Sequence, residues 1–254
     1  MLVLGYAVLG ALAASLASMS GVGGGVFFVP IFLFIVGLEP NLAVGTSKLV
    51  VAVVSIISGL TYLSQGSTSL KKAAPIMLSM LPGSIVGAYL VAYIDPEVLE
   101  VILAAFILYY SGRLFLRTYR EFRGLSNDKP AGPEGGRSNN VAMVAAGALA
   151  GVFAGLTGTG GGAVIVPILT TLRLASLKEA VATSMVSISL GAVASASVHA
   201  ATGLIDYRTA LPFASGALAG SVVGPMLAKR MSVRALRPVV AVVLSLVALR
   251  LLFS

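Results

Sequence analysis

Not one of the 254 residues is a cysteine or a tryptophan, and the only histidine is His199. The missing thiols exclude disulfides, thiolate metal sites and thiol relays, and a single imidazole cannot assemble a histidine cluster around a catalytic metal. Charge is also scarce: 10% of residues are charged and 57% hydrophobic, with a mean hydropathy of +1.00. A soluble domain carries about 25% charged and about 45–50% apolar residues. Such a chain is built for lipid, so its expected surroundings are the bilayer. Carboxylates are the scarcer charges, 9 against 17 Lys and Arg, for a net +8. A nucleic-acid footprint needs an exposed basic stripe, whereas these charges flank apolar runs, so nucleic acid is excluded as a partner. No nucleophile stands beside a base and no cofactor motif is present, so the expectation is a protein without catalytic residues, metal or cofactor.

The one long polar stretch is 118–140, where Arg120, Arg123, Lys129 and Arg137 are interspersed with Pro130, Pro133, Gly135 and Gly136. This composition neither inserts nor packs, and it reads as a linker between residues 1–117 and 141–254. Shifting the first part by 137 residues aligns Gly21-x-Gly23-Gly24-Gly25-x3-Val29-Pro30 with Gly158-x-Gly160-Gly161-Gly162-x3-Val166-Pro167. The same shift pairs Ala43-Val44-x-Thr46-Ser47 with Ala180-Val181-x-Thr183-Ser184, and Gly83-Ser84-x-Val86-Gly87 with Gly220-Ser221-x-Val223-Gly224. Of 117 paired positions 30 are identical, where shared composition alone gives roughly a tenth. The chain is a duplicated unit.

Each unit divides into five apolar elements, read as 2–19, 26–38, 42–64, 73–94 and 97–117, then 141–156, 163–174, 179–202, 209–228 and 234–253. The second of each set rises only about 18–20 Å at 1.5 Å per residue, against a hydrocarbon core of roughly 30 Å, and reads as a half-helix or re-entrant piece. Met1–Ser18 lacks a basic flank and leads into further apolar segments, so it reads as mature structure rather than a cleaved signal. Placing loops 65–72, 173–178 and 229–237 on the linker's side gathers 14 of the 17 basic residues there, with only Arg208 and Arg250 opposite. By the positive-inside rule the linker is cytoplasmic and both termini lie outside. Equivalent loops such as 65–72 and 203–208 then fall on opposite faces, which makes the halves inverted repeats, an architecture of secondary transporters.

Adjacent glycines allow a tight reversal and a close approach of backbone N–H groups to a ligand, and the helix that follows begins with unpaired donors and a positive dipole end. Gly23, Gly24, Gly25 and Gly160, Gly161, Gly162 therefore read as candidate anion-binding turns, although small residues also serve helix packing in membranes. Gly83, Gly87, Gly220 and Gly224, at four-residue spacing, read as a packing face. The runs lack a Gly-Lys-Ser/Thr ending, which excludes a nucleotide-binding loop. The hydroxyls of Thr46, Ser47, Thr183 and Ser184 either donate to a bound oxyanion or bond back to their own helix. Lys48 follows directly, opposite Met185 in the repeat. A lysine inside an apolar helix either faces an anionic substrate or snorkels to the interface. His199, opposite Tyr62, is the one side chain whose ordinary titration lies near neutrality, and it is the candidate for coupling transport to a co-transported proton.

Paired units of this kind, with a Gly-rich turn, a Val-Pro and an Ala-Val-x-Thr-Ser helix start, resemble the sulfite exporter TauE/SafE family of membrane permeases. The resemblance extends over nearly the whole chain outside the linker. It implies inverted repeats without an ATP-hydrolysing part, and a substrate among sulfite, sulfonates and related organosulfur anions. Lys48 departs from the apolar residue that the family places after Thr-Ser, which points to a more highly charged anion. The sequence thus predicts an all-α polytopic protein of a prokaryotic cell membrane, acting as a secondary transporter of a small sulfur oxyanion, with an anion-selective channel as the alternative. Single cysteines introduced at Ser126 and Asp206 are expected to react with an impermeant maleimide from opposite sides of the membrane. Labelling of both from one side refutes the inverted arrangement.

Overall fold

The structure, a computed structural model, describes residues 2–122, 140–172 and 174–230. Every regular element among them is helical: α1 (Leu2–Ser20), α2 (Gly25–Ile31) continuing as a π-helical turn (Phe32–Val36), α3 (Pro40–Ser64), α4 (Leu70–Val91), α5 (Pro96–Phe122), α6 (Asn140–Thr157), α7 (Gly162–Thr171), α8 (Leu177–Ala201) and α9 (Tyr207–Arg230). Five of these, α1, α3, α4, α8 and α9, are long and apolar enough to cross a membrane. The fold is that of an all-α polytopic membrane protein. Helix α5 runs on to Phe122, past the 118 boundary read from the sequence. The rest of the linker up to residue 139, and the element expected at 234–253, lie outside the described residues.

Local chemistry explains the boundaries. Pro40 opens α3 at a position where its missing N–H costs nothing. The Ser176 side chain accepts from the Glu179 N–H at 3.3 Å, and this Ser-x-x-Glu start begins α8. Pro30 and Pro167 lie inside α2 and α7, where each removes a helical donor. Past Pro30 the helix widens into the π-turn and stops at Gly37, whose φ of 80° terminates it. Both short second elements, Gly25–Val36 and Gly162–Thr171, fall well under the length that crosses a bilayer.

The helices pack twice in the same way with the halves exchanged. Helix α4 lies on α6 as α9 lies on α1, and a 137-residue shift converts one pair into the other. A Cβ on Gly83 would come within 2.5 Å of the Ala148 carbonyl oxygen, and one on Gly87 within 2.2 Å of that of Val152. The repeat reproduces both contacts, Gly220 at 2.1 Å from the Ala11 oxygen and Gly224 at 2.6 Å from the Ser15 oxygen. Reciprocal contacts of this kind define an approximate two-fold relation between the halves. The equivalent helices α3 and α8 form the buried centre and run antiparallel. The start of α3 meets the loop after α8 through the Asp206 N–H donating to Thr46, and the start of α8 meets the loop after α3 through Thr68 and Thr183.

Gly87→Leu is expected to force α4 and α6 apart and to lower the unfolding midpoint in detergent, at an overpacking cost of about 1–3 kcal/mol or more. Gly112→Leu on α5, where nothing lies within 4 Å, is expected to leave the midpoint unchanged.

Candidate functional site

The two glycine runs meet each other. A Cβ on Gly23 would lie 3.2 Å from Gly160 Cα, and one on Gly160 would lie 3.1 Å from Gly23 Cα. A Cβ on Gly25 would fall 1.9 Å from the Gly158 oxygen, and one on Gly162 would fall 2.0 Å from the Gly21 oxygen. Gly23, Gly24, Gly160 and Gly161 also have φ of 96°, 95°, 96° and 85°, a region that side-chain-bearing residues rarely enter. The glycines are thus required twice over, by conformation and by the closeness of the opposing backbone. The first amides to close on their own turn are Phe27, onto Gly24, and Val164, onto Gly161. The N–H groups of Gly25, Val26, Gly162 and Ala163 precede them as the orphan donors of a helix start.

The four sequence-predicted hydroxyls surround these turns and bind protein. Ser47 donates to the Gly158 carbonyl at 3.2 Å and Ser184 to the Gly21 carbonyl at 2.8 Å, the same bond made from each half to the other. Thr46 accepts from the Asp206 N–H at 2.9 Å, and Thr183 shares a hydrogen bond with Thr68 at 2.7 Å. Ser47 and Ser184 hold the first carbonyl of the opposite glycine run. Thr46 and Thr183 tie the start of each central helix to the loop facing it.

Lys48 stands one residue further along α3. It is fully buried and its Nζ has no hydrogen-bond partner. The only ion pair among the described residues joins Lys72 to Glu179, on α4 and α8, so the Lys48 ammonium has no carboxylate at bonding distance. Within range of its charge is His199, which offers no compensation. That ring, also fully buried and without a hydrogen bond at either nitrogen, lies beside the Gly155 backbone and interacts electrostatically with Lys48. Two residues 151 positions apart in sequence, chosen there for separate reasons, are brought together.

The chain matches the model of the sulfite exporter TauE/SafE family over residues 6–251. It belongs to that family. Among curated proteins it is 28% identical to the probable membrane transporter protein YunE of Bacillus subtilis, over 97% of this chain and 96% of that one. It is 30% identical to a probable membrane transporter protein of Methanocaldococcus jannaschii, over 80% of this chain and 71% of that protein. A third such protein, from Xylella fastidiosa, is 25% identical over 88% of this chain and 84% of its own length. No solved structure matches. Membership of a family of membrane transporters, together with five apolar helices of spanning length, identifies an integral membrane protein.

In this TauE/SafE protein the buried hydroxyls of Ser84, Ser195 and Ser221 also lack partners. Sequence reading passed over them, because a serine in a helix ordinarily bonds back to its own carbonyl, and only the structure shows that these do not. Ser47→Ala and Ser184→Ala are each expected to cost about 0.5–1.5 kcal/mol of stability by removing one crossing hydrogen bond. The two losses should be alike, since the bonds are equivalents. Chemical unfolding of each variant in detergent checks this, and a loss confined to one half would break the two-fold description.

Proposed function

We propose that this TauE/SafE protein is a secondary transporter of a small sulfur-containing oxyanion, such as sulfite or an organosulfonate. The observation that carries the charge of the substrate is Lys48, a wholly buried ammonium without hydrogen bond or counter-ion. An isolated buried charge costs several kcal/mol, and a substrate anion offsets that cost. The glycine turns Gly23–Gly25 and Gly160–Gly162 supply further positive potential through the first amides of α2 and α7, and Thr46, Ser47, Thr183 and Ser184, whose hydroxyls bind protein, hold those turns and the central helices in place. The family to which the chain belongs supports sulfur as the central element.

The antiparallel course of α3 and α8 supports the transporter over the channel. In a membrane crossed by both, the two halves have opposite orientations, and exchanging their conformations would open the centre to each side in turn. The excess of Lys and Arg in the loops supports a cytoplasmic linker with both ends outside, in what we take to be a prokaryotic cell membrane. His199 is the group that couples the cycle to a proton.

Reconstitution into liposomes with sulfite, 2-hydroxyethanesulfonate, sulfate and acetate, with and without a pH gradient, tests this reading. Saturable, gradient-dependent flux of the sulfur oxyanions is the expected result. Conductance far above carrier turnover would identify a channel, and indifference to all four anions would refute the proposal. Lys48→Met, which copies Met185 of the other half, is expected to weaken a dianion by about tenfold or more, the worth of a charge-assisted contact of roughly 1.5–3 kcal/mol, and a monoanion by less. Equal uptake of both by the variant and the parent would remove Lys48 from substrate selection.

A further inference from the structure

The duplication makes each half a control for the other, and at one pair of equivalent places the two differ in chemistry. At the first place, Tyr62 donates to the Ser18 carbonyl at 2.8 Å, Ser18 and Ser58 share a hydrogen bond at 2.6 Å, and Ser58 donates to the Ser221 carbonyl at 3.0 Å, which leaves only the Ser221 hydroxyl without a partner there. Met185, buried and apolar, belongs to the same set by the repeat. A shift of 137 residues converts Tyr62, Ser18, Ser58, Ser221 and Met185 into His199, Gly155, Ser195, Ser84 and Lys48.

At this second place the backbone arrangement is kept, with the His199 ring directed at the Gly155 backbone as Tyr62 is at the Ser18 carbonyl, though without a hydrogen bond of good geometry. The polar network is not kept. Lys48 Nζ, Ser84 Oγ, Ser195 Oγ and both nitrogens of His199 are buried without a hydrogen bond. These are five of the eight buried side-chain polar atoms without a partner among the described residues, so the deficit is concentrated rather than scattered. The groups lie along one side of α8. Ser84 Oγ would lie 2.7 Å from a Cβ on Gly191, and Gly191, Ser195 and His199 follow at four-residue intervals on one face of α8. Lys48, on α3, is within electrostatic reach of His199. Ser15, Ser18, Thr157, Thr170 and Ser187 all bond back to the carbonyl four residues earlier. Ser84 and Ser195 do not, although that bond is the ordinary refuge of a buried helical hydroxyl.

Buried polar groups are normally satisfied, and a cluster that is not calls for an explanation. What these groups have in common is the ability to donate: an ammonium, two hydroxyls and an imidazole N–H, with no carboxylate hydrogen-bonded to any of them. The geometry points to a single, off-axis binding pocket for a small oxyanion with three or four oxygens, formed by Lys48, Ser84, Ser195 and His199, with no counterpart in the other half. This pocket rests on the anion-transport reading above and deepens it. The glycine turns lie at the meeting point of the halves and are shared by both. The pocket lies to one side of them, between α3, α4 and α8, so the substrate is recognised by one half-site and the other serves as packing.

The test is equilibrium binding of radiolabelled sulfite to the purified full-length protein in detergent, with sulfate and 2-hydroxyethanesulfonate as competitors. Ser84→Ala, Ser195→Ala, His199→Tyr and Lys48→Met are each expected to weaken sulfite binding by about fivefold or more, the loss of one hydrogen bond to a charged group. Ser58→Ala, Ser221→Ala and Tyr62→Phe, at the equivalent places, are expected to stay within about twofold of the parent, although Ser58→Ala and Tyr62→Phe break hydrogen bonds and lower the unfolding midpoint. His199→Gln stands in if the tyrosine variant is not monodisperse. Parent-like binding by Ser84→Ala, Ser195→Ala and the His199 variant overturns the pocket and leaves anion transport standing. Equal losses at the two sets overturn the asymmetry and with it the proposal. A parent that binds none of the three anions overturns the anion-transport reading and the pocket together.

Discussion

The arrangement of this protein depends on how closely two stretches of backbone approach at its centre. Gly25 and Gly158, and Gly162 and Gly21, come so near that a single methyl group on Gly25 or Gly162 would overlap the opposing carbonyl. Ser47 and Ser184 cross from one half to the other to bind those same carbonyls. Lipid provides no hydrophobic drive for helices to associate, so close contact and interhelical hydrogen bonding must do it. Non-helical backbone at this depth persists because protein covers it. The same requirement repeats at the periphery, where Gly83, Gly87, Gly220 and Gly224 let α4 and α9 rest on the carbonyls of α6 and α1.

Contacts of this type define positions but leave little room for adjustment. The two-fold relation follows, because each crossing bond has its equivalent and neither half completes its own centre. Helices α3 and α8 are the most buried of the long helices and are packed by helices drawn from both halves.

Against this symmetry the distribution of charge is uneven. Lys48 faces His199 on one side of the centre, and Met185 and Tyr62 occupy the equivalent places on the other. A buried ammonium without a partner works against the stability of the fold. On the proposed reading a ligand offsets that cost, and the unsatisfied hydroxyls of Ser84 and Ser195 fit the same account. Duplication supplies the scaffold, and departure from it supplies the chemistry.

By itself the sequence determined the class of the protein, its duplication and, among the described residues, every helix boundary but the end of α5 to within three residues. Apolar runs, prolines and glycines act locally, and a 137-residue shift needs no coordinates to be seen. The short second elements were legible for the same reason, since 12 or fewer residues, Gly25–Val36 and Gly162–Thr171, fall short of a span whatever surrounds them. The further course of α5 to Phe122 was not, because Thr118–Phe122 has the polarity of a loop and becomes helix by continuing one already formed. What only the tertiary structure decided is which groups meet and which are left alone: that the glycine runs touch each other, that Ser47 and Ser184 are committed to carbonyls of the opposite half, and that Lys48, Ser84, Ser195 and His199 are buried without hydrogen bonds. Hydrogen bonds and charges act over a few ångströms in space, between residues that the chain sets more than a hundred positions apart.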